Sequence, residues 1–246
     1  MSQPEVAYIE VAGRSIAYRL RRGKGPTIVF LPGYASDMEG TKALALDAFA
    51  GERGQALLRL DYSGTGSSPG AFADGTLELW FEEVLAAVDE LTDGPLALVG
   101  SSMGGWIALH LAVARPDRVR AIVGIAAAPD FTDWGFRDEL KARLRAGETL
   151  RGHGDYGERV TTAGFWSSGQ RMRLLEEEIA VDCPVRLIHG EADPDVPLDV
   201  AFRTLRALRS ADVQLAILKG GGHRLSEPHE IEAILRTVAG LLEPDA

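Results

Sequence analysis

Short apolar runs alternate with stretches in which apolar residues recur every three or four positions along most of the chain. Residues 26–31, 56–60, 96–99, 121–125, 185–188 and 213–218 are mostly apolar, the pattern of parallel strands buried on both faces. Between them, 38–49, 76–91, 103–113, 200–208 and 230–242 carry helical spacing and predict the right-handed crossovers that parallel strands require. Ahead of these, 5–11 and 14–22 alternate around Ala12-Gly13, which predicts an antiparallel hairpin or meander. The basic run Arg19, Arg21, Arg22, Lys24 reads as a solvated edge face, charged against edge-to-edge pairing.

One region breaks the alternation. Residues 130–182 separate two consecutive strands by far more chain than an ordinary α/β connection uses, which predicts an inserted cap. Helical spacing is expected at 139–145 and 169–179. The segment also carries Phe131, Trp134, Phe136, Tyr156, Phe165 and Trp166 in a chain with only 7% aromatic residues. These side chains either hold a small subdomain together or wall an apolar substrate pocket, and a cap must do both. With no fixed-period repeat or low-complexity linker, the expected organisation is one domain over 1–246, with a core of 1–129 and 183–246 and a cap of about 130–182.

Composition narrows the function classes. The chain has 246 residues, 46% hydrophobic and 25% charged, which excludes disordered and collagen-like proteins. The formal charge is −10, from 26 basic and 36 acidic residues, so a phosphate backbone or an anionic bilayer is repelled on average, and nucleic acid is not expected as a partner. No apolar stretch approaches the roughly 20 residues of a membrane-spanning helix, and residues 1–11 lack the pattern of a signal peptide. The single cysteine, Cys183, cannot close an intrachain disulfide, and no clustered His/Cys offers a structural zinc site. A cytoplasmic location is expected on these grounds.

Gly100-Ser101-Ser102-Met103-Gly104 follows an expected strand and opens an expected helix, the context of a GxSxG nucleophile elbow. A serine at so sharp a turn leaves no room for side chains two residues before and after it. Ser102 meets that condition with Gly100 and Gly104; Ser101 would place Val99 and Met103 there. Serine is a weak nucleophile at neutral pH and needs a base, for which histidine is suited. Of the five histidines, His223 follows Gly220-Gly221-Gly222 after the last strand, in a loop able to carry its ring over the C-terminal sheet edge. His189 ends a strand and is expected to order the next turn, while His110 lies too deep in the helix after Ser102. His153 and His229 read as cap and surface residues. The base needs an anion to hold its tautomer, and Asp193 and Asp195, in the loop leaving the penultimate strand, compete for that role. Asp193 is favoured on position, although an aspartate before proline can simply initiate a turn.

Acyl transfer further requires donors aimed at the developing oxyanion. The amide of Met103 is one candidate; the amide of Tyr34, in Pro32-Gly33-Tyr34, is the other. Gly64-Thr65-Gly66 and the stretch Gly33 to Lys42 lack phosphate-loop spacing, so no nucleotide is assigned; no metal or other cofactor is expected. Candidate pocket residues are Trp106, Phe131, Trp134, Phe165 and Trp166.

Leu31-Pro-Gly-Tyr34, Asp61-Tyr-Ser-Gly-Thr-Gly-Ser67, Gly100-Ser-Ser-Met-Gly-Gly-Trp106, His189-Gly-Glu-Ala-Asp193 and Gly222-His223 together resemble the α/β-hydrolase superfamily over residues 5–242. Gly40-Thr-Lys-Ala-Leu-Ala45 and Cys183-Pro-Val-Arg-Leu-Ile-His-Gly190 are further similar to its branch of mitochondrial acyl-protein thioesterases and acyl-glucuronide esterases. The resemblance is weaker in the cap. It implies an eight-stranded, mostly parallel sheet flanked by helices, with a cap between strands 6 and 7. It also implies Ser102, Asp193 and His223 as a triad and a serine esterase or thioesterase acting on small-molecule or acylated-protein substrates. Two alternatives are hydrolysis of a carbon–carbon bond by the same triad and ligand binding without turnover on a hydrolase scaffold.

Overall fold

A computed structural model describes residues 3–154 and 157–242; Tyr156, one of the cap aromatics, lies outside the described residues. The chain opens with β1 (Ala7–Val11), β2 (Arg14–Arg21) and β3 (Lys24–Leu31). There follow α1 (Thr41–Arg53), β4 (Gln55–Leu60), α2 (Leu77–Leu91), β5 (Leu96–Ser101), α3 (Met103–Ala114) and β6 (Val119–Ile125). The insertion holds α4 (Phe131–Trp134), α5 (Asp138–Arg145), β7 (Leu150–Gly154), β8 (Gly157–Thr161) and α6 (Ala163–Arg171). The core resumes with β9 (Val185–Gly190), α7 (Leu198–Ala207), β10 (Val213–Leu218) and α8 (Pro228–Leu242). Among the described residues no helix is long and apolar enough to cross a membrane.

Eight strands form one sheet in the order β1-β2-β4-β3-β5-β6-β9-β10, and β7 pairs with β8 separately. The β1–β2 and β2–β4 pairings are antiparallel and the others in the large sheet are parallel. Successive side chains of a strand point to opposite faces, and both faces are covered. Val29, Leu31, Leu58 and Leu98 pack with Trp80 and Val84 of α2 and Trp106 and Ile107 of α3. Ile28, Phe30, Leu57 and Val99 pack with Leu46 of α1 and Ile234 and Val238 of α8. Two covered faces are why these strands read as uninterrupted apolar runs. The register aligns Leu31 with Gly100, Ser101 with Ile125, and Leu218 with Gly190. The loops leaving β3, β5, β9 and β10 therefore open along one edge, the C-terminal edge at which open α/β sheets bind ligands.

Three expectations are corrected. β2 is not an edge strand: it lies between β1 and β4, and its arginines are engaged, Arg19 with Glu39 at 2.6 Å and Arg21 with Asp47 at 2.9 Å. Alternation reports which face is polar, not whether a neighbour lies alongside. The helix expected at 169–179 ends at Arg171. The amides of Leu174 and Leu175 instead donate, both at 2.8 Å, to the buried carboxylate of Asp130, a tertiary contact that overrides the apolar spacing. The hairpin of β7 and β8 was not expected, because its sequences, Leu-Arg-Gly-His-Gly and Gly-Glu-Arg-Val-Thr, lack alternating apolar positions.

A buried carboxylate fastens α2 to the sheet. Glu83, fully buried, accepts from Arg14 Nε at 2.8 Å and from the Ser63 amide at 2.9 Å. Glu83→Ala is expected to lower unfolding stability by about 3 kcal/mol, because a guanidinium and a buried amide lose their acceptor together. Urea unfolding at unchanged m-value checks this; a loss below about 1 kcal/mol would mean that the pair no more than offsets its own desolvation.

Candidate active site

At the tip of β5, Ser102 adopts φ 53° and ψ −118°, a strained conformation for a residue with a side chain. Crowding explains the flanking glycines. A Cβ on Gly104 would lie 2.0 Å from the Leu31 carbonyl oxygen, and one on Gly100 would lie 2.3 Å from that of Gly104. The turn is closed by the Ser102 amide donating to Ile125 O at 2.9 Å and the Ala128 amide donating to Ser102 O at 3.1 Å. Strain at this position is therefore maintained by β6 and the loop after it.

His223 and Asp193 meet Ser102 from separate loops. His223 Nε2 lies 3.1 Å from Ser102 Oγ, and Nδ1 lies 2.9 Å from Asp193 Oδ2. A carboxylate only accepts, so Nδ1 carries the proton and Nε2 is free to accept from the serine hydroxyl. Asp193 Oδ1 accepts from the amides of Asp195 and Val196 at 2.8 and 2.9 Å. Burial pushes this carboxyl up, but the bond from His223, the Val196 amide, the charge of His223 and the Asp195 amide outweigh it and hold it below the usual range. The anion thus persists into mild acid. Between the two candidates, geometry favours Asp193, and Asp195 serves it through its amide. His189 donates from Nε2 to Val196 O at 2.9 Å, ordering this same loop as expected. His110 approaches Met172 O at 2.9 Å, away from Ser102 Oγ. Cys183 is no competing nucleophile: burial pushes its thiol up to about 11.

Asp193, Asp195 and His223 bring ligand-type atoms within 4.8 Å of one another. Both Asp193 oxygens already accept hydrogen bonds and the second His223 nitrogen faces Ser102, so the cluster is read as a proton relay rather than as a metal site.

Met103 is the first residue of α3, where a backbone N–H has no intrahelical acceptor. The loop bearing Tyr34 approaches from β3: a Cβ on Gly33 would lie 3.3 Å from both Ser101 O and Ser102 Cβ. Three residues with no role in the sequence reading hold this loop. Tyr62 donates from its phenol to Pro32 O at 2.9 Å, Arg59 donates from Nη1 to Met38 O at 2.6 Å, and Asp61 Oδ1 accepts from the Met38 amide at 2.7 Å. All three are fully buried. The available signal was Arg59 inside an otherwise apolar strand, since a buried arginine is rarely tolerated without partners.

Of the candidate pocket aromatics, Phe131 and Phe165 join the Tyr34 ring, at centroid distances of 5.8 and 4.6 Å, and Trp106 joins Phe131 at 5.8 Å. Phe72, from the turn before α2, and Trp80 of α2 extend this cluster. Trp134 and Trp166 are placed differently: their indoles donate to Pro129 O at 2.7 Å and Thr132 O at 2.8 Å, fastening the start of the cap. The Tyr34 phenol donates to Val160 O, so the loop beside Ser102 is bonded to β8 of the cap.

A family model described as the alpha/beta hydrolase fold matches residues 26–144. The human protein "Palmitoyl-protein thioesterase ABHD10, mitochondrial" is 38% identical over 93% of this chain and 77% of its own length. Among solved structures, alpha/beta hydrolase domain-containing protein 10 from mouse superposes with a TM-score of 0.91 at 35% identity, covering 96% of this chain and 98% of that one. A putative hydrolase from Agrobacterium vitis S4 gives a TM-score of 0.91 at 37% identity, covering 97% and 99%. The expected cytoplasmic location is overturned, because the curated relatives at 36–38% identity are named as mitochondrial. A lone cysteine suits any reducing compartment and could not distinguish between the two.

Proposed function

This chain belongs to the α/β-hydrolase family as a serine hydrolase of the esterase and thioesterase class, and on that premise we propose that it releases acyl groups from thioesters and carboxylic esters through a Ser102-His223-Asp193 triad. The core (1–129 and 183–246) and the insertion (about 130–182) are read as one domain. The relay carries the reading: Asp193 Oδ2 at 2.9 Å from Nδ1 and Ser102 Oγ at 3.1 Å from Nε2 of one imidazole. Ser102 Oγ attacks the acyl carbon as its proton passes to Nε2. The oxygen that gains negative charge meets the amides of Met103 and Tyr34. Collapse breaks the bond to sulfur or oxygen, and the imidazolium protonates the leaving group. Water, deprotonated by Nε2, then attacks the acyl-enzyme, and collapse returns the proton to Ser102.

The rings of Phe131 and Phe165, packed on Tyr34 in the loop that approaches Ser102, favour an extended acyl chain over a charged group. Thioesterase activity toward S-acylated protein is the reading that the human relative's name supports. A series of S-acyl substrates of increasing chain length, with an acyl peptide and an aryl ester beside it, tests both parts. kcat/KM is expected to rise about fourfold per methylene, from about 0.8 kcal/mol each, until the aromatic wall is filled. A flat series would remove the acyl chain from the proposal. Absence of turnover together with no labelling by a fluorophosphonate would leave a scaffold without chemistry.

A further inference from the structure

The loop carrying His223 has little rigidity of its own, since Gly220, Gly221 and Gly222 precede the histidine. It must be held from outside. On the acid side, the Ala192 amide donates to Gly221 O at 2.9 Å, and the Gly220 amide donates to Glu191 Oε2 at 3.1 Å. Beneath it, Leu225 is buried, and Glu230 of α8 accepts from the Glu227 amide at 2.9 Å. Toward α1, Lys42 donates from Nζ to the carbonyl oxygen of Arg224, the residue after His223. Lys42 stands in the first turn of α1, just after the loop that carries Tyr34. This bond therefore joins the loop of the oxyanion donor to the loop of the base.

We propose that Lys42 is a positioning residue for His223, its ammonium holding the Arg224 carbonyl so that the imidazole stays in line with Ser102 Oγ and the oxyanion donors. The inference rests on the reading of His223 as the base. A hydrogen bond from an ionised donor is roughly twice as strong as a neutral one. Without it, every member of the triad remains but the imidazole is free to drift, and a displacement of about 1 Å can cost up to about 10²-fold in rate. The tether is also sensitive to pH. Burial pushes the Lys42 ammonium down to about 8; the charge of Arg224, from the His223 loop, acts in the same direction, and that of Glu230, from α8, opposes it. Below that pH the donor is charged; above it the amine is neutral and the bond weakens.

Lys42→Met and Lys42→Arg test this, with rates normalised to endpoint fluorophosphonate titration so that only folded enzyme counts. Lys42→Met is expected to lower kcat about tenfold with KM changed less than about twofold, and to abolish an alkaline inflection near pH 8 that wild type shows. Lys42→Arg, whose guanidinium stays charged, is expected to recover most of kcat and to lack that inflection. A Lys42→Met kcat within about twofold of wild type overturns the proposal, as does an inflection near pH 8 retained in both variants or absent from wild type. If Lys42→Met does not fold, the Lys42→Arg profile against wild type decides. His223→Ala, measured alongside, separates the two readings. An active His223→Ala overturns the base assignment, whereas an inactive His223→Ala beside a normal Lys42→Met overturns the positioning role alone.

Discussion

Ser102→Ala is expected to lower kcat by about 10⁴- to 10⁶-fold while leaving KM and the folded state nearly unchanged. The loss follows from the geometry of a single oxygen. Ser102 Oγ is the group that His223 Nε2 faces at 3.1 Å, and without it water must attack an acyl carbon with no covalent intermediate to divide the barrier. The amides of Met103 and Tyr34, proposed as oxyanion donors, survive the substitution, so some acceleration over water should remain. The turn also survives, because its strain is imposed by Gly100, Gly104 and the bonds to β6 and not by the hydroxyl. Ser101→Ala is the control. It removes a neighbouring hydroxyl, buried at the end of β5, and is expected to stay within about threefold of wild type. Steady-state kinetics on both variants decides the matter: a loss below about tenfold for Ser102→Ala would move the nucleophile elsewhere.

Asp193→Asn carries the second large effect, about 10⁴-fold in kcat, against less than about tenfold for Asp195→Asn. The hydrogen bonds around Asp193 fix the direction of the effect. Its Oδ1 takes two backbone amides, from Asp195 and Val196, so an asparagine must put its own oxygen there. Its NH₂ then faces His223 Nδ1 and donates to it, which forces the ring proton onto Nε2. An imidazole in that tautomer cannot accept the proton of Ser102. Asp195 contributes an amide to this loop, which Asp195→Asn leaves in place. Measuring kcat across neutral pH for both variants checks the ranking, and the reverse order would transfer the acid role to Asp195.

Much of the fold was legible along the chain. Apolar runs marked six strands of the large sheet to within a few residues and alternation marked β1 and β2, because inner strands covered on both faces leave no polar alternation. The cap was legible only as an interruption. Length alone pointed to an insertion but not to its hairpin, since β7 and β8 pair through their backbones and their sequences carry no regular apolar alternation. The end of α6 was misread for a related reason: Met172, Leu174, Leu175 and Ile179 imitate helical spacing, while the Asp130 carboxylate claims the amides that a helix would need. Pocket aromatics divided the same way. Phe131 and Phe165 reach the Tyr34 ring, whereas the indoles of Trp134 and Trp166 satisfy backbone carbonyls at the start of the insertion, a distinction between aromatic side chains that only their surroundings make.

The amino-acid sequence alone determined which serine stands at the strained turn, because the rule that selects Ser102 is steric and acts within five consecutive residues. It also determined which loops face the same edge, since parallel strands joined by helices leave their C-terminal ends together. Tertiary structure decided which carboxylate holds the imidazole, how the loop of Tyr34 is fastened by Arg59, Asp61 and Tyr62, and that Lys42 reaches the loop of His223. Those contacts join residues from 21 to 182 positions apart. Hydrogen bonds are made or lost over tenths of an ångström, and separations of that length in the chain carry no record of such distances until the sheet has closed.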